Sequence, residues 1–183
     1  MNLGFDFDKV FVDYPPFIPS FIIDRLYKKS SDETLLYRIP SKPEQLLRLI
    51  THLPYLRPPL QSNIEFVKDL YRKNTYKHFL ISSRFSFLKN ATNNIVKKHN
   101  LEKAFHSMYF NFEDKQPHIF KDAMVKKLNI HRYVDDDLPL LKYLVSKNKK
   151  TVFFWLNKLD NKKIDNNLFA ITNLKEMVKQ YDF

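Results

Sequence analysis

Short runs of apolar residues alternate along the chain with longer segments whose apolar residues recur at helical spacing. The runs lack strict apolar–polar alternation, which is typical of parallel strands that are buried on both faces. They predict strands at 2–7, 78–82, 107–112, 131–135, 151–156 and 168–172. The amphipathic segments between them predict helices at 42–53, 62–73, 87–99, 119–128, 138–147 and 174–181. Strand and helix alternate over 62–183, which predicts an α/β domain with a parallel sheet and helices on both faces.

Capping residues mark many of the helix ends. Three residue pairs have the spacing of an N-terminal capping box: Ser41 with Glu44, Ser62 with Glu65, and Asn173 with Glu176. Basic residues followed by asparagine predict left-handed C-terminal caps at Asn74, Asn100, Asn129 and Asn148. The chain has one glycine, so asparagine is the residue expected where the backbone needs a positive φ.

Residues 9–61 have a different composition from the rest of the chain. Eight of the ten prolines lie between Pro15 and Pro59, and the segment has helical patches but no convincing buried strand. We predict a small, mainly helical insertion after the first strand, packed on the carboxyl edge of the sheet. The core domain is then formed by residues 1–8 and 62–183.

Composition excludes several classes of site. The chain has 183 residues and no cysteine, which excludes disulfides, thiol nucleophiles and thiolate zinc sites. A single glycine excludes the glycine-rich phosphate loops of nucleotide-binding proteins. No apolar run approaches the ~20 residues of a membrane span, and Asp6 and Asp8 interrupt the apolar N-terminus, so we expect no signal peptide and a soluble cytoplasmic protein.

Polar residues collect where three of the predicted strands end. The ends read "FDFD", "LISSR" and "YVDDD", and a lysine opens the helix before the last of these; the residues are Asp6, Asp8, Ser82, Ser83, Arg84, Lys121, Asp135, Asp136 and Asp137. Because ligands of open α/β sheets bind at the carboxyl ends of the strands, we expect these side chains to share one edge if the strands are neighbours.

Such a concentration of carboxylates requires a counter-charge. Two carboxylates ~4 Å apart repel by roughly 4 kcal/mol at an effective dielectric constant near 20. Oxygen ligands without histidine or cysteine favour a hard cation such as Mg²⁺, which also accepts a substrate phosphate. The residues therefore predict a metal-assisted phosphoryl site.

The order "FDFDKV", "FLISSR", Lys121, "YVDDD" resembles the four motifs of the haloacid dehalogenase-like phosphohydrolases. Those motifs are hhhhDxDx(T/V), hhh(S/T), a lysine, and hhhDD or a variant. The resemblance covers nearly the whole chain, and the insertion stands where this family carries its C1-type cap. It implies a Rossmann-like α/β/α core and Mg²⁺-dependent hydrolysis of a phosphomonoester, with a small phosphorylated metabolite or a nucleotide as substrate.

The resemblance also implies roles for individual residues. Asp6 matches the nucleophile that forms an aspartyl-phosphate intermediate, and Asp8 matches the general acid. Ser82, with Ser83 beside it, matches the phosphate-binding hydroxyl. Lys121 matches the lysine that steadies the nucleophile and the phosphate, although Lys115 and other lysines lie nearby.

The same resemblance implies a magnesium site. Asp6 and the main-chain carbonyl of Asp8 would hold Mg²⁺ together with the acidic pair Asp135 and Asp136, and which of these two touches the metal directly stays open. Asp137 is more consistent with a helix cap.

Three positions have alternative interpretations. Lys9 stands where many members of the family have glycine, and it could place a positive charge beside the leaving group. Arg84 could contact the substrate or form a surface salt bridge, and the two serines before it could cap the following helix. The six histidines lack metal-ligand spacing.

The net charge of +11 leaves a second function open. A basic field would steer anionic phosphates to the site, whereas a continuous basic groove would indicate a nucleic-acid-binding domain or a phosphatase for polynucleotide ends. A purely structural, partner-binding domain is a third interpretation. The sequence gives no indication of the oligomeric state.

Overall fold

The computed structural model describes residues 1–16, 28–31, 34–157 and 162–179. The strands among them are β1 (Asn2–Phe5), β2 (Lys28–Ser31), β3 (Thr34–Tyr37), β4 (Lys77–Ser82), β5 (Ser107–Phe110), β6 (Arg132–Asp135), β7 (Val152–Leu156), β8 (Lys162–Asp165) and β9 (Leu168–Ile171). Seven of them form one sheet in the order β5-β4-β1-β6-β7-β9-β8, and β2 and β3 form a separate antiparallel hairpin. Every pairing in the large sheet is parallel except that of β8 with β9.

Helices cover both faces of this sheet. They are α1 (Lys42–Thr51), α2 (Gln61–Lys73), α3 (Lys89–Lys98), α4 (Pro117–Lys127) and α5 (Leu138–Lys147), with short 3-10 helices at Ser86–Leu88, Leu101–Lys103 and Leu174–Val178. One apolar core packs α2 and α3 on the sheet, and a second core packs α4 and α5 on the other side. Neighbouring strand residues such as Phe153 and Phe154 belong to different cores. The predicted three-layer α/β/α architecture is therefore confirmed.

The three strands whose ends carry the polar residues are direct neighbours. In the sheet β1 lies between β4 and β6, and Phe5 is paired with Leu80 on one side and with Val134 on the other. The N–H of Asp6 continues this pairing, donating to the Val134 carbonyl oxygen at 3.0 Å. The carboxyl ends of the three strands therefore meet at one edge of the sheet.

The single glycine lies in β1 where the sheet leaves no room for a side chain. A Cβ atom at Gly4 would lie 2.6 Å from a ring carbon of Tyr133, which is fully buried. The Tyr133 ring thus packs directly on the β1 backbone, next to the strand end that carries Asp6.

The asparagine caps are confirmed at three of four positions. Asn74, Asn100 and Asn129 have φ values of 50°, 52° and 45°. The prediction for Asn148 is wrong, since its φ is −131°. Its side-chain amide instead donates to the Leu144 carbonyl and to Asp122, which removes the need for a left-handed turn.

The capping boxes are confirmed at Ser41 and Asn173. The box predicted at Ser62 is wrong because α2 begins one residue earlier, with Leu60 as its N-cap. The segment after Asn173 is a 3-10 helix that ends at Val178, shorter than the predicted 174–181, and residues 180–181 lie outside the described residues.

The sequence prediction missed three short strands. Besides α1, the insertion contains the hairpin β2–β3, which the expectation of helical patches without a convincing buried strand did not include. Residues 17–27 and 32–33 of the insertion lie outside the described residues. Strand β8 reads "KKID" and is an antiparallel edge strand. An edge strand needs no continuous apolar run, since only one side is paired.

Among the described helices, none is long and apolar enough to cross a bilayer.

Strand β4 contains a buried histidine. His78 is fully buried, and within the described chain neither of its ring nitrogens has a hydrogen-bond partner. Burial, with a further contribution from nearby His106, lowers the pKa of His78 to about 4. The folded state therefore favours the neutral form of the His78 ring.

We expect this histidine to reduce stability as the pH falls. An unfolded histidine takes up its proton near pH 6.5, whereas folded His78 takes it up near pH 4, so between these values protons favour the unfolded chain. Lowering the pH from 7.5 to 5 should cost about 2 kcal/mol through this residue. Urea unfolding of wild type and His78→Phe at pH 7.5 and pH 5 measures this effect. Between the two pH values, the free energy of unfolding should fall by about 2 kcal/mol less in the variant than in wild type. Equal decreases in both proteins would contradict the prediction.

Candidate active site

The centre of the site is a buried lysine between two buried carboxylates. Lys121, in the second turn of α4, places its Nζ 2.7 Å from Asp6 Oδ1 and 2.6 Å from Asp135 Oδ2. Asp6 is 5% exposed and Asp135 is 1% exposed. The competing lysine Lys115 instead pairs with Glu113 at the surface. Of the lysines considered, Lys121 is therefore the one that lies against Asp6.

Charge and burial oppose each other in this cluster. Burial, together with Asp135 and Asp8, raises the pKa of Asp6 to about 7 in spite of the Lys121 ammonium. Burial alone would lower the pKa of Lys121, but the carboxylates of Asp135 and Asp6 outweigh it and raise that pKa well above its usual value. The lysine is therefore held as a cation, and it provides only one positive charge for the two carboxylates.

Three hydrogen bonds hold the Asp135 carboxylate in place. Its Oδ2 accepts from Lys121 and from the Tyr133 hydroxyl at 3.2 Å, and its Oδ1 accepts from the N–H of Asp137 at 3.0 Å. The Asp137 side chain in turn accepts from the N–H of Leu140 as the N-cap of α5, so the predicted capping role is confirmed. The donors leave Asp135 a single orientation at the end of β6.

Asp136 is the more accessible member of the acidic pair. Its side chain is 21% exposed, and its Oδ2 lies 3.6 Å from Lys9 Nζ. Burial, with the neighbouring Asp135 and Asp6 carboxylates, raises the pKa of Asp136 well above its usual value. The indole N–H of Trp155 donates to the Asp136 carbonyl at 3.0 Å and anchors the backbone beneath it.

These three aspartates have the geometry of a cation site. Asp6, Asp135 and Asp136 each offer one oxygen, and the oxygens lie within 4.8 Å of one another. Opposite ligands of Mg²⁺ are about 4 Å apart, and the ion prefers oxygen donors. Since one lysine leaves the carboxylate cluster with excess negative charge, the donor set and the charge both fit a divalent cation.

Asp8 lies in a separate cluster, between two buried arginines. Arg84 forms a two-point contact with it, through Nε at 2.9 Å and Nη2 at 2.7 Å, and the Arg57 guanidinium contacts the same Oδ1. Burial would raise the pKa of Asp8, but Arg84 and Arg57 outweigh it and hold that pKa well below its usual range. Arg84 is thus part of a buried ion pair and not of a surface salt bridge.

The two serines after β4 occupy different environments. Ser82 is 1% exposed, and its Oγ accepts from the N–H of Arg84 at a long 3.4 Å. Ser83 lines the cavity at the site, and its Oγ has no partner within the described residues. Neither serine caps a helix, because the following 3-10 helix begins after Phe85. Ser83 is thus among the residues that line the cavity, whereas Ser82 lies buried behind it and hydrogen-bonds within the chain.

Lys9 makes the turn that follows the two aspartates. Its φ is 55°, a left-handed conformation that glycine adopts more readily, and its N–H donates to the Val12 carbonyl at 2.7 Å. Its Nζ lies 4.6 Å from the centre of the Tyr14 ring and faces Asp136. Lysine thus tolerates the turn, and its ammonium reaches the edge of the acidic cluster.

A cavity of about 120 Å³ joins these groups to the insertion. Its walls include Tyr37, Arg38 and His52 from the insertion, and from the core the sequence-predicted residues Asp6, Asp8, Ser83, Arg84, Lys121, Asp135 and Asp136. The insertion is attached at this point: the hydroxyl of Tyr37 donates to Asp137 at 2.8 Å, and its N–H donates to the Gln116 side chain at 2.9 Å.

Comparison with known proteins identifies the fold. The sequence matches no family model and none of the curated proteins. Among solved structures, a HAD-superfamily hydrolase from Ehrlichia chaffeensis superposes with a TM-score of 0.54 at 13% identity, over 96% of this chain and 92% of that one. A protein assigned as a beta-phosphoglucomutase from Thermotoga maritima superposes with a TM-score of 0.60 at 14% identity, over 97% of both chains. The fold is that of the haloacid dehalogenase-like proteins.

Within this haloacid dehalogenase-like fold, the sequence prediction overlooked residues that the insertion contributes. Arg57 is 1% exposed and contacts Asp8, and His52 and Tyr37 line the cavity. Arg57 lies in the proline-rich stretch "LPYLRPPL", which has no helical or strand period. A charged residue inside an otherwise apolar stretch was the available signal, because such a residue is buried only when it has a partner.

Proposed function

We propose that this protein is a Mg²⁺-dependent phosphatase that hydrolyses a phosphomonoester through an aspartyl-phosphate intermediate on Asp6. The observation that carries the proposal is the position of Lys121, which lies within hydrogen-bond distance of both Asp6 and Asp135. Phosphoryl-transfer sites need an oriented nucleophile and concentrated positive charge. Solved structures with the same fold include a HAD-superfamily hydrolase, which agrees with this chemistry.

In the first half of the reaction, different side chains attack the phosphorus, balance its charge and bind its oxygens. An Asp6 oxygen attacks phosphorus in line with the leaving oxygen, a P–O bond to Asp6 forms, and the P–O bond to the leaving group breaks. Lys121 holds Asp6 in orientation and offsets the phosphoryl charge, while Ser82, with Ser83 beside it, is the pair that the resemblance assigns to the phosphoryl oxygens. Asp6, Asp135 and Asp136 would hold Mg²⁺, which supplies further positive charge for the phosphoryl group when bound.

Asp8 is the residue that we propose to donate and accept protons. By the resemblance, it protonates the leaving oxygen and later takes a proton from the water that attacks the phosphoaspartate, which releases phosphate and regenerates the Asp6 carboxylate. The two arginine contacts favour the carboxylate form of Asp8, the form that accepts the proton from water. Leaving groups that depart as stable anions, such as nitrophenolate, place the smallest demand on this residue.

A substrate panel with and without Mg²⁺ tests the proposal. We expect hydrolysis of p-nitrophenyl phosphate and of one class of small phosphorylated metabolites or nucleotides, a loss of about 100-fold or more in EDTA, and recovery on adding Mg²⁺. A 3′-phosphorylated oligonucleotide in the panel tests the alternative of a polynucleotide-end phosphatase. Equal rates with and without Mg²⁺ would contradict the metal assignment.

The metal site has a readout that does not depend on turnover. Mg²⁺ at about 100 times its dissociation constant should raise the free energy of unfolding by about 2.7 kcal/mol. Asp136→Asn should remove most of this gain, whereas Asp69→Asn, at an exposed carboxylate on α2, should retain it. An unchanged gain in Asp136→Asn would place the cation elsewhere.

A further inference from the structure

Helix α1 of the insertion has its apolar residues on the outside. Arg48 and, directly after the helix, His52 are each 4% exposed. Leu46, Leu47 and Ile50 are 63%, 53% and 50% exposed. A surface helix of a monomeric protein normally has the opposite arrangement, with its apolar stripe facing the core. The inner, polar face of α1 lies toward the active site, so the apolar face remains for another contact.

The exposed apolar residues continue beyond the helix. We define the α1 surface by Ile39, Leu46, Leu47, Ile50, Leu53 and Tyr55. Six of the ten exposed large apolar side chains in the described part of the chain are concentrated in these seventeen positions, 39–55. Their exposed fractions correspond to roughly 700 Å² of surface, close to the ~800 Å² that each partner contributes to a standard-size interface.

The charge distribution restricts where two copies of this chain can associate. The protein carries a net charge of +11, so two copies repel each other across most orientations. The six side chains that define the α1 surface are uncharged. Lys98 Nζ lies 4.2 Å from the centre of the Tyr55 ring at its edge, and beside it Arg38 and Glu44 form an ion pair at 2.7 Å. A nucleic acid would require a basic surface here, and homodimer interfaces are the more apolar class of interface.

We propose that the α1 surface is the interface of a two-fold symmetric homodimer. Two-fold dimers are the commonest assemblies, and they bring the same surface of both copies together. When the two α1 helices pack antiparallel, Lys42 at the start of each helix lies near the C-terminal end of the other, where the helix dipole favours positive charge. The opposite face of α1, with His52, lines the active-site cavity.

Sedimentation velocity over a range of micromolar concentrations tests the dimer. Wild type should sediment as a dimer, and Leu46→Glu/Ile50→Glu should weaken association by about 100-fold or more, because like charges would face each other across the axis. Ile119→Glu is the matched control, since Ile119 on α4 is 51% exposed and should leave the dimer intact. Circular dichroism checks that all three proteins are folded.

Cross-linking provides a second measurement that does not depend on a destabilising variant. The chain has no cysteine, so Ile50→Cys carries a single thiol, which should form an intermolecular disulfide under mild oxidation. Ile119→Cys should not. A monomeric wild type, a dimer that persists in the double glutamate variant, or equal cross-linking of both cysteine variants would overturn the proposal. Binding of wild type to phosphatidylcholine vesicles through the α1 surface, without dimerisation, would also overturn it.

Discussion

We expect Asp6→Asn to lower the proposed phosphatase activity by about 10⁴-fold or more, while the protein remains folded. The amide that replaces the carboxylate is neutral and cannot form the acyl phosphate, so the covalent route is lost. Burial raises the pKa of Asp6 to about 7 even beside Lys121, so the ionised side chain is costly in the metal-free protein. The asparagine variant should therefore unfold at the same urea concentration as wild type or at a higher one.

The measurement compares kcat for p-nitrophenyl phosphate with the urea midpoint of the same preparations. Asp69→Asn provides the control, because it makes the same chemical change at a carboxylate whose side chain is 54% exposed. The control should keep wild-type kcat. Turnover by Asp6→Asn within about 100-fold of wild type would assign the nucleophile to another residue, and an unfolded variant would contradict the energetic account of the cluster.

Lys121→Met should be the most destabilising single change at the site. It leaves the buried Asp6 and Asp135 without the ammonium that both contact, and loss of one partner of a buried ionic cluster costs about 3–5 kcal/mol. Urea unfolding in metal-free buffer measures the loss. Lys126→Met, which breaks an exposed pair with Asp122, should cost less than about 0.5 kcal/mol.

A double variant separates lost charge balance from lost packing. If unpaired carboxylates cause the destabilisation, Lys121→Met/Asp135→Asn should recover about 1.5 kcal/mol or more relative to Lys121→Met alone. Mg²⁺ should also recover part of the loss in Lys121→Met by supplying positive charge at the same carboxylates. A double variant as unstable as the single one would show that the lysine acts through packing.

The sequence predicts the core of this protein well because its elements are defined locally. Buried parallel strands are continuous apolar runs, so their ends, and with them Asp6 and Asp135, follow from the pattern. Lys121 follows from its place near the start of a helix. The hairpin β2–β3 and strand β8 carry no such signal, since their formation depends on pairing with distant residues.

The positions of Ser82 and Ser83 show what the local sequence pattern cannot predict. Side chains alternate between the two sides of a strand, so a difference of one residue decides which serine meets the cavity. In the structure Ser83 lines the cavity and Ser82 is 1% exposed, a difference that depends on tertiary packing. Arg57 is a stronger example, because its contact with Asp8 joins residues 49 positions apart.

The contact between Arg57 and Asp8 joins the insertion to the proposed active site. In evolution or engineering, exchanging the insertion for one without this arginine would change the surroundings of a carboxylate in the core domain. An exchanged insertion would therefore also alter the electrostatic environment of Asp8, the residue proposed to transfer protons.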